Sequence, residues 1–412
     1  MPAVGLHVTL AESKRRQPSS ADVMKHRSHN SAVVLVIGAV LTVVGASIYN
    51  VLPLLATGAV DILGFSDAQV GVMSVAITVG SGISALLSGL WVRSVPWPRS
   101  ALIGLGGVLV TNALAMLVHG YWTIVFMQGA AGFFATAVIC LGLTILSDRE
   151  ESARGFGVSN AMQVVYQICA ILAGPALLRM GGLNGVLVML AGLSGLTMFL
   201  APLLPAHGRT VETQGVSKGL LKPATLLSLL GFGIYFVNAG AYWTYVELMG
   251  QAQGMTPDVV ANCVAAGVSA GILGGALAWA LGDRRGRVWP LCISCAMTVA
   301  AALLLNGTFG VTAFLLAGLL YFFAWNYSVA YQLAIVNAVD TTGRGVAMTQ
   351  AFAFFGSAGG AGAAAIFVRP GNYHAVIWLV VLAVCVSTAL FALSFVLHSA
   401  ADSRRGLAEA LP

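Results

Sequence analysis

The sequence predicts an all-α membrane protein of twelve transmembrane helices, built as two six-helix halves. Three observations carry that expectation. The 412 residues are 58% hydrophobic and 8% charged, against roughly 25% charge in a soluble domain; so few charges cannot cover a water-facing surface. Long uncharged runs recur along the whole chain, and a bilayer core of about 30 Å needs about 20 apolar residues per helix. Short segments of the two halves also resemble each other at an offset near 190 residues.

The runs without Asp, Glu, Lys or Arg are 31–60, 68–92, 100–147, 155–178, 180–208, 223–246, 259–282, 288–339, 345–368 and 370–401. Two of them, 100–147 and 288–339, hold two helices each, with breaks at His119-Gly120-Tyr121 and Asn306-Gly307-Thr308. The count is then twelve. A transmembrane barrel would show short alternating segments instead. Pro53 and Pro175 are expected to kink helices one and five.

Lys and Arg collect on the side of the membrane that faces the cytoplasm. With both termini inside, 18 of the 20 Lys and Arg fall on that side, and Arg179 and Arg369 fall outside. The net charge of +6 therefore reads as membrane orientation, not as a nucleic-acid surface. The expected organisation is a disordered cytoplasmic tail over 1–30, a six-helix bundle over 31–205, a cytoplasmic linker over 206–222, a second bundle over 223–398 and a tail over 399–412. The first tail lacks the apolar core of a cleaved signal peptide, and Met24 is a second candidate start. The six cysteines, Cys140, Cys169, Cys263, Cys292, Cys295 and Cys385, all lie in apolar runs and read as packing residues.

The densest charge cluster inside the helical region is Gly282-Asp283-Arg284-Arg285-Gly286-Arg287. It must be a short cytoplasmic hairpin between helices eight and nine. Its counterpart one repeat earlier is 93–99. Arg154-Gly155 likewise matches Arg344-Gly345, and Gly129 to Ala135 matches Gly318 to Ala324 with Phe-Phe-Ala in common. Paired repeats with a site between them near the midplane are a secondary-transporter arrangement.

On these residues the chain resembles the major facilitator superfamily. Asp283, Arg284, Gly286 and Arg287 match its loop pattern of Gly, three residues, Asp-Arg, one residue, Gly-Arg, with Trp279 in place of the first Gly. In the first-half copy Gly89 matches, while Arg93, Pro96 and Trp97 replace Asp, Gly and Arg. Gln128-Gly129 resembles part of an Arg-x-x-Gln-Gly motif, with Val125 in place of Arg. Ala173-Gly174-Pro175 partly resembles the Gly-Pro motif of drug antiporters. The resemblance covers about 31–398. It implies that helices one, four, seven and ten line a central cavity with five, eight and eleven beside them, and that the loop residues Asp283, Arg284, Gly286, Arg287 and Arg93 form a cytoplasmic gate.

Amide and aromatic side chains concentrate on those helices. The candidate cavity residues are Tyr49, Asn50, Gln128, Asn160, Gln163, Gln167, Tyr235, Asn238, Tyr242, Trp325, Asn326 and Gln350. Ionisable groups inside membranes are functional candidates by default, and here Glu247 and Asp61 are the candidates for proton coupling. No Lys or Arg is expected at mid-depth, which favours a neutral, aromatic or weakly charged solute. Glycines spaced four apart, Gly267, Gly271 and Gly275, and the group Gly356, Gly359, Gly360 and Gly362, predict close helix approach.

The expected function is secondary active transport of a small organic solute, coupled to protons, by alternating access. Drug or metabolite efflux and a non-transporting sensor are the alternatives. No catalytic constellation, metal-spaced cluster or nucleotide-binding Gly-x-x-x-x-Gly-Lys-Ser/Thr motif occurs, so neither an enzyme nor a cofactor is expected. The expected setting is a bacterial inner membrane, with the lipid bilayer, the solute and protons as partners, no nucleic acid, and a monomeric chain.

Overall fold

Ser31 starts the first helix, its hydroxyl accepting the Val34 N–H at 3.2 Å, and from there the chain is helical almost throughout. The computed structural model describes residues 31–118, 120–149, 152–207, 222–282, 286–340, 345–369 and 371–409, without the side chains of 152–154, 345–347 and 400–409. Its helices are α1 (Ala32–Asn50), α2 (Leu52–Leu63), α3 (Asp67–Trp91), α4 (Trp97–Ala115), α5 (Tyr121–Ser147), α6 (Ser152–Met198), α7 (Pro223–Ala252), α8 (Pro257–Leu281), α9 (Val288–Leu304), α10 (Val311–Val339), α11 (Gly345–Phe367) and α12 (His374–Glu409). Among the described residues, nine helices are long and apolar enough to cross a membrane.

Two of those nine are interrupted. The segment Ala32–Leu63 breaks at Val51 (φ −107°, ψ 12°), between α1 and α2. The 49-residue segment Gly155–Leu203 would measure about 73 Å as one straight helix, more than twice the bilayer core. It turns at Gly182, whose φ of 59° and ψ of −151° are not helical and suit a residue without Cβ. The expected break at Arg179 thus falls three residues later, because only glycine tolerates that backbone.

Hydrogen bonds sort the helix termini into two ends. At the end that carries Ser31, Arg149 donates to the Ser31 carbonyl at 2.7 Å, the Trp97 N–H to the Ala206 carbonyl at 2.9 Å and Thr225 to the Val339 carbonyl at 3.2 Å. At the opposite end His374 meets Asn306 at 2.7 Å and the Phe309 N–H donates to Gln253 at 3.3 Å. The helix α12 continues to Glu409, beyond the bundle edge expected at 398. The linker residues 208–221 lie outside the described residues.

The buried apolar residues form three clusters. One lies within the first half around Val34, Leu41, Trp97 and Leu141. A second lies within the second half around Phe232, Tyr327, Ile335 and Phe391. The largest joins both halves through Leu55, Met73, Tyr245, Val260 and Val376. The halves are therefore cored separately near the Ser31 end and share a core towards the opposite end.

Lipid supplies no hydrophobic drive for helix pairing, so close backbone packing matters. A Cβ at Gly240 would collide with the Ser357 backbone, and one at Gly360 with the Val237 carbonyl. This is the crossing of α7 and α11. Gly267, Gly271 and Gly274 similarly press on α10, whereas Gly275 borders open space and Gly359 touches only Val237. Large exposed side chains such as Trp122, Trp279 and Trp289 lie near helix ends, where an aromatic belt meets the lipid interface.

Candidate substrate cavity

Between the halves lies a cavity of about 800 Å³. Asn160, Gln163 and Gln167 reach it from α6, at i, i+3 and i+7, so they share one helical face. Tyr49 and Asn50 enter at the end of α1, Trp325 and Asn326 from α10, and Gln350 with Phe354 from α11. Phe236 and Trp243 of α7 complete an aromatic wall with Tyr321 and Phe322. Among the described residues, no Asp, Glu, Lys, Arg or His lines the cavity. The cavity runs towards the Ser31 end, reaching Gly157, Ala276 and Gln350, each little more than one turn from a helix terminus at that end.

Four expected cavity residues do not line it. Tyr235, Asn238 and Tyr242 occupy the neighbouring face of α7 and back the wall. Tyr321 donates to Asn238 Oδ1 at 2.8 Å, Tyr242 stacks on Tyr321 at 3.8 Å, and Tyr235 meets Trp325 at 5.4 Å. Gln128 is buried in the first half, on a helix that packs against α1, α3 and α4. The lining face of α7 is Phe236, Ala239, Gly240, Trp243 and Thr244, offset by one residue from the expected one. Thr78 of α3 and Ser357 of α11 also line the cavity; isolated small hydroxyls on apolar helices carry no sequence signal that separates them from ordinary packing.

Beyond the cavity, at the end opposite Ser31, the halves are joined by polar contacts. Thr57 of α2 donates to Glu247 Oε2 of α7 at 3.1 Å, and Glu247 is 6% exposed. Tyr245 donates to the Asp67 carbonyl at 2.9 Å, and Tyr373 to the Asp67 carboxylate at 3.1 Å. Burial, and then the charge of Asp67, push the Tyr373 phenol well above its ordinary value, so it remains a donor. Arg179 pairs with Asp258 at 2.7 Å, both well exposed; such a pair contributes little stability. Asp61 is exposed, one turn after Thr57 on α2. At the level of the cavity, Trp243 Nε1 donates to the Tyr49 carbonyl at 2.7 Å, and the Tyr49 ring stacks on Phe354 at 5.1 Å.

At the Ser31 end, Arg93 and Arg287 each make a described contact within their own half. Arg93 pairs with Asp148 at 2.9 Å. Gly286 turns the second loop with φ 74°, and Arg287 donates to the Ala334 carbonyl at 3.1 Å. Asp283 and Arg284 lie outside the described residues.

The family profile of the Major Facilitator Superfamily matches residues 35–363. The chain belongs to that superfamily. It is an integral membrane transporter and not an enzyme. Two of the solved structures that share its fold illustrate the likeness. The nucleoside transporter NupG is 14% identical, with 89% of this chain and 99% of that one covered and a TM-score of 0.70. A bacterial homologue of the human lysosomal transporter Spinster, inward-facing and unoccupied, is also 14% identical, with 88% and 96% covered and a TM-score of 0.68. A comparison with curated protein sequences finds no match.

Proposed function

We propose that this superfamily member crosses the membrane twelve times and carries a small organic solute, neutral, aromatic or weakly charged, by proton-coupled alternating access. The twelve crossings are the nine long helices with Gly155–Leu203 divided at Gly182, plus α4 and the shorter α9. The observation that carries the reading is a cavity fed by both halves and walled by amides and aromatic rings, with no charged side chain among the described residues that line it. The Ser31 end is assigned to the cytoplasm by the Lys and Arg bias, which makes the arrangement of this structure an inward-open one. Loops 93–99 and 283–287 then stand at the cytoplasmic gate.

Glu247 is assigned the proton. It sits in the seam between the halves and accepts from Thr57, and no ion pair to it occurs among the described residues. Protonation changes the carboxyl group from an acceptor into a group that also donates, and so changes the contact that joins the halves. Asp61, one turn from Thr57 and exposed, is placed to pass protons between water and that seam.

The test is flux in proteoliposomes with an imposed pH gradient, using solutes that raise the melting temperature of the purified protein. Accumulation driven by outside acid is the symport outcome and expulsion the antiport outcome. Bound solutes that never move under any gradient would make the protein a sensor and refute the proposal.

A further inference from the structure

The break between α1 and α2 leaves a specific backbone atom without its helical partner. Proline has no N–H, so the carbonyl four residues before it loses its intrahelical donor. Four residues before Pro53 is Tyr49. Its carbonyl accepts the indole N–H of Trp243 at 2.7 Å, and Trp243 belongs to the other half of the molecule. A carbonyl without a good donor is costly away from water, and within its own chain Tyr49 O is approached by the Val51 N–H, two residues on at the helix end, so when the indole leaves, cavity water or a solute donor serves it. Tyr49 and Trp243 both border the cavity. If the halves part at this level, the indole leaves and another donor takes its place.

The surroundings describe that donor. Phe354 lies against the Tyr49 ring at 5.1 Å with an interplanar angle of 27°. Phe322 stands edge-on to Trp243 at 5.6 Å and 89°. These rings favour a flat apolar face. Across the cavity, Asn160, Gln163 and Gln167 offer amides that both donate and accept, and among the described residues no lining side chain carries a charge to balance an ion.

We propose that the Tyr49 carbonyl is a solute subsite, which Trp243 fills in this structure and which takes the N–H or O–H of an uncharged, flat heteroaromatic solute. The solute's ring lies along the aromatic wall and its polar edge faces α6. Arrival of the solute displaces the indole and severs one link between the halves, so occupancy itself loosens them. This assignment rests on the cavity being the transport site, and it deepens that reading by naming the solute class and one atom that selects it.

Theophylline and caffeine form a matched pair of probes: both are flat and uncharged at neutral pH, and caffeine lacks the single N–H of theophylline. Binding to the full-length protein in nanodiscs is measured by calorimetry, with benzoate and tetraphenylphosphonium as charged comparators. Theophylline is expected to bind more tightly than caffeine by about fivefold to tenfold, the worth of one hydrogen bond. Trp243→Phe keeps a ring and removes the competing donor, and is expected to widen the preference for theophylline over caffeine severalfold. Pro53→Ala restores a backbone N–H to the Tyr49 carbonyl, and is expected to erase the preference for theophylline. Equal affinities for the two probes, a preference indifferent to both substitutions, or binding of the charged comparators alone would each overturn the subsite. Flux is measured on the same preparations. Intact proton-driven flux with equal probe affinities removes the subsite and leaves the transport reading standing, whereas the expected affinity pattern without flux does the reverse.

Discussion

Arg93 grips Asp148 with two guanidinium nitrogens, Nη2 to Oδ1 at 2.9 Å and Nη1 to Oδ2 at 3.4 Å, tying the loop after α3 to the end of α5. The aspartate side chain is 4% exposed and the arginine 36%. The first-half loop departs from the superfamily pattern by carrying Arg at the position of the Asp, and its structure supplies the carboxylate from the neighbouring helix. The loop is therefore anchored by an ion pair even though its sequence motif is poor.

Loss of that anchor has a measurable cost. Arg93→Ala leaves a buried carboxylate without its fork-shaped partner, and the half-exposed position limits the penalty to about 1–2 kcal/mol. Arg93→Lys keeps the charge but not the paired geometry and is expected to fall between. Thermal unfolding of the purified variants reads both, and equal melting temperatures for all three proteins would contradict the anchoring role.

Glu247→Gln retains an oxygen that accepts from Thr57, so the seam between the halves is expected to stay closed and the fold intact. What is lost is the proposed proton site. Counterflow exchange of solute is expected to persist near the parental rate, and accumulation under a pH gradient to disappear. Gradient-driven accumulation that survives in this variant removes Glu247 from the coupling path.

The crossing of α7 and α11 is expected to tolerate no side chain at Gly360. An added methyl meets the Val237 carbonyl, and overpacking of this kind costs about 1–3 kcal/mol. Gly360→Ala should lower the melting temperature and the yield of monodisperse protein. Gly275→Ala meets open space and should do neither, which makes it the internal control.

The opposite-end contact of Tyr373 with Asp67 has a definite pH response. The phenol is held above its ordinary value of 10.0, so its contribution is complete below that value and declines as pH rises through the raised one. Cysteine-accessibility labelling at the opposite end is expected to be flat from neutral to mildly alkaline pH. Tyr373→Phe should raise labelling uniformly across that range; a variant that loosens the end only at alkaline pH would contradict the assignment.

Much of this was legible in the sequence, and the remainder has a physical reason. Charge spacing located the helices, because each Asp, Glu, Lys or Arg is costly in lipid. It located the turn near Arg179 less well, since the position that accepts a positive φ is Gly182. Asn160, Gln163 and Gln167 stand out in the sequence as amides on a helix that the family resemblance sets beside the cavity, and all three border it. The phase of α7 was not recognisable. Tyr235, Asn238 and Tyr242 form one polar-aromatic face and Phe236, Gly240 and Trp243 form the next, and in a helix buried on every side hydropathy does not say which face meets the cavity. The link from Trp243 to Tyr49 escaped for another reason: its acceptor is a backbone atom, and only the structure pairs it with a donor 194 residues away.

The described cavity wall carries no charged side chain, and this has an electrical consequence. An uncharged solute passing an uncharged site moves no charge across the bilayer, so any current that accompanies transport belongs to the coupling ion alone. Each proton carried across 100 mV is worth about 2.3 kcal/mol. Under the proposed proton coupling of an uncharged solute, the ratio of current to solute flux, recorded on a solid-supported membrane, reads the number of protons per cycle directly, and the membrane voltage that halts net flux sets the steepest solute gradient the protein can sustain.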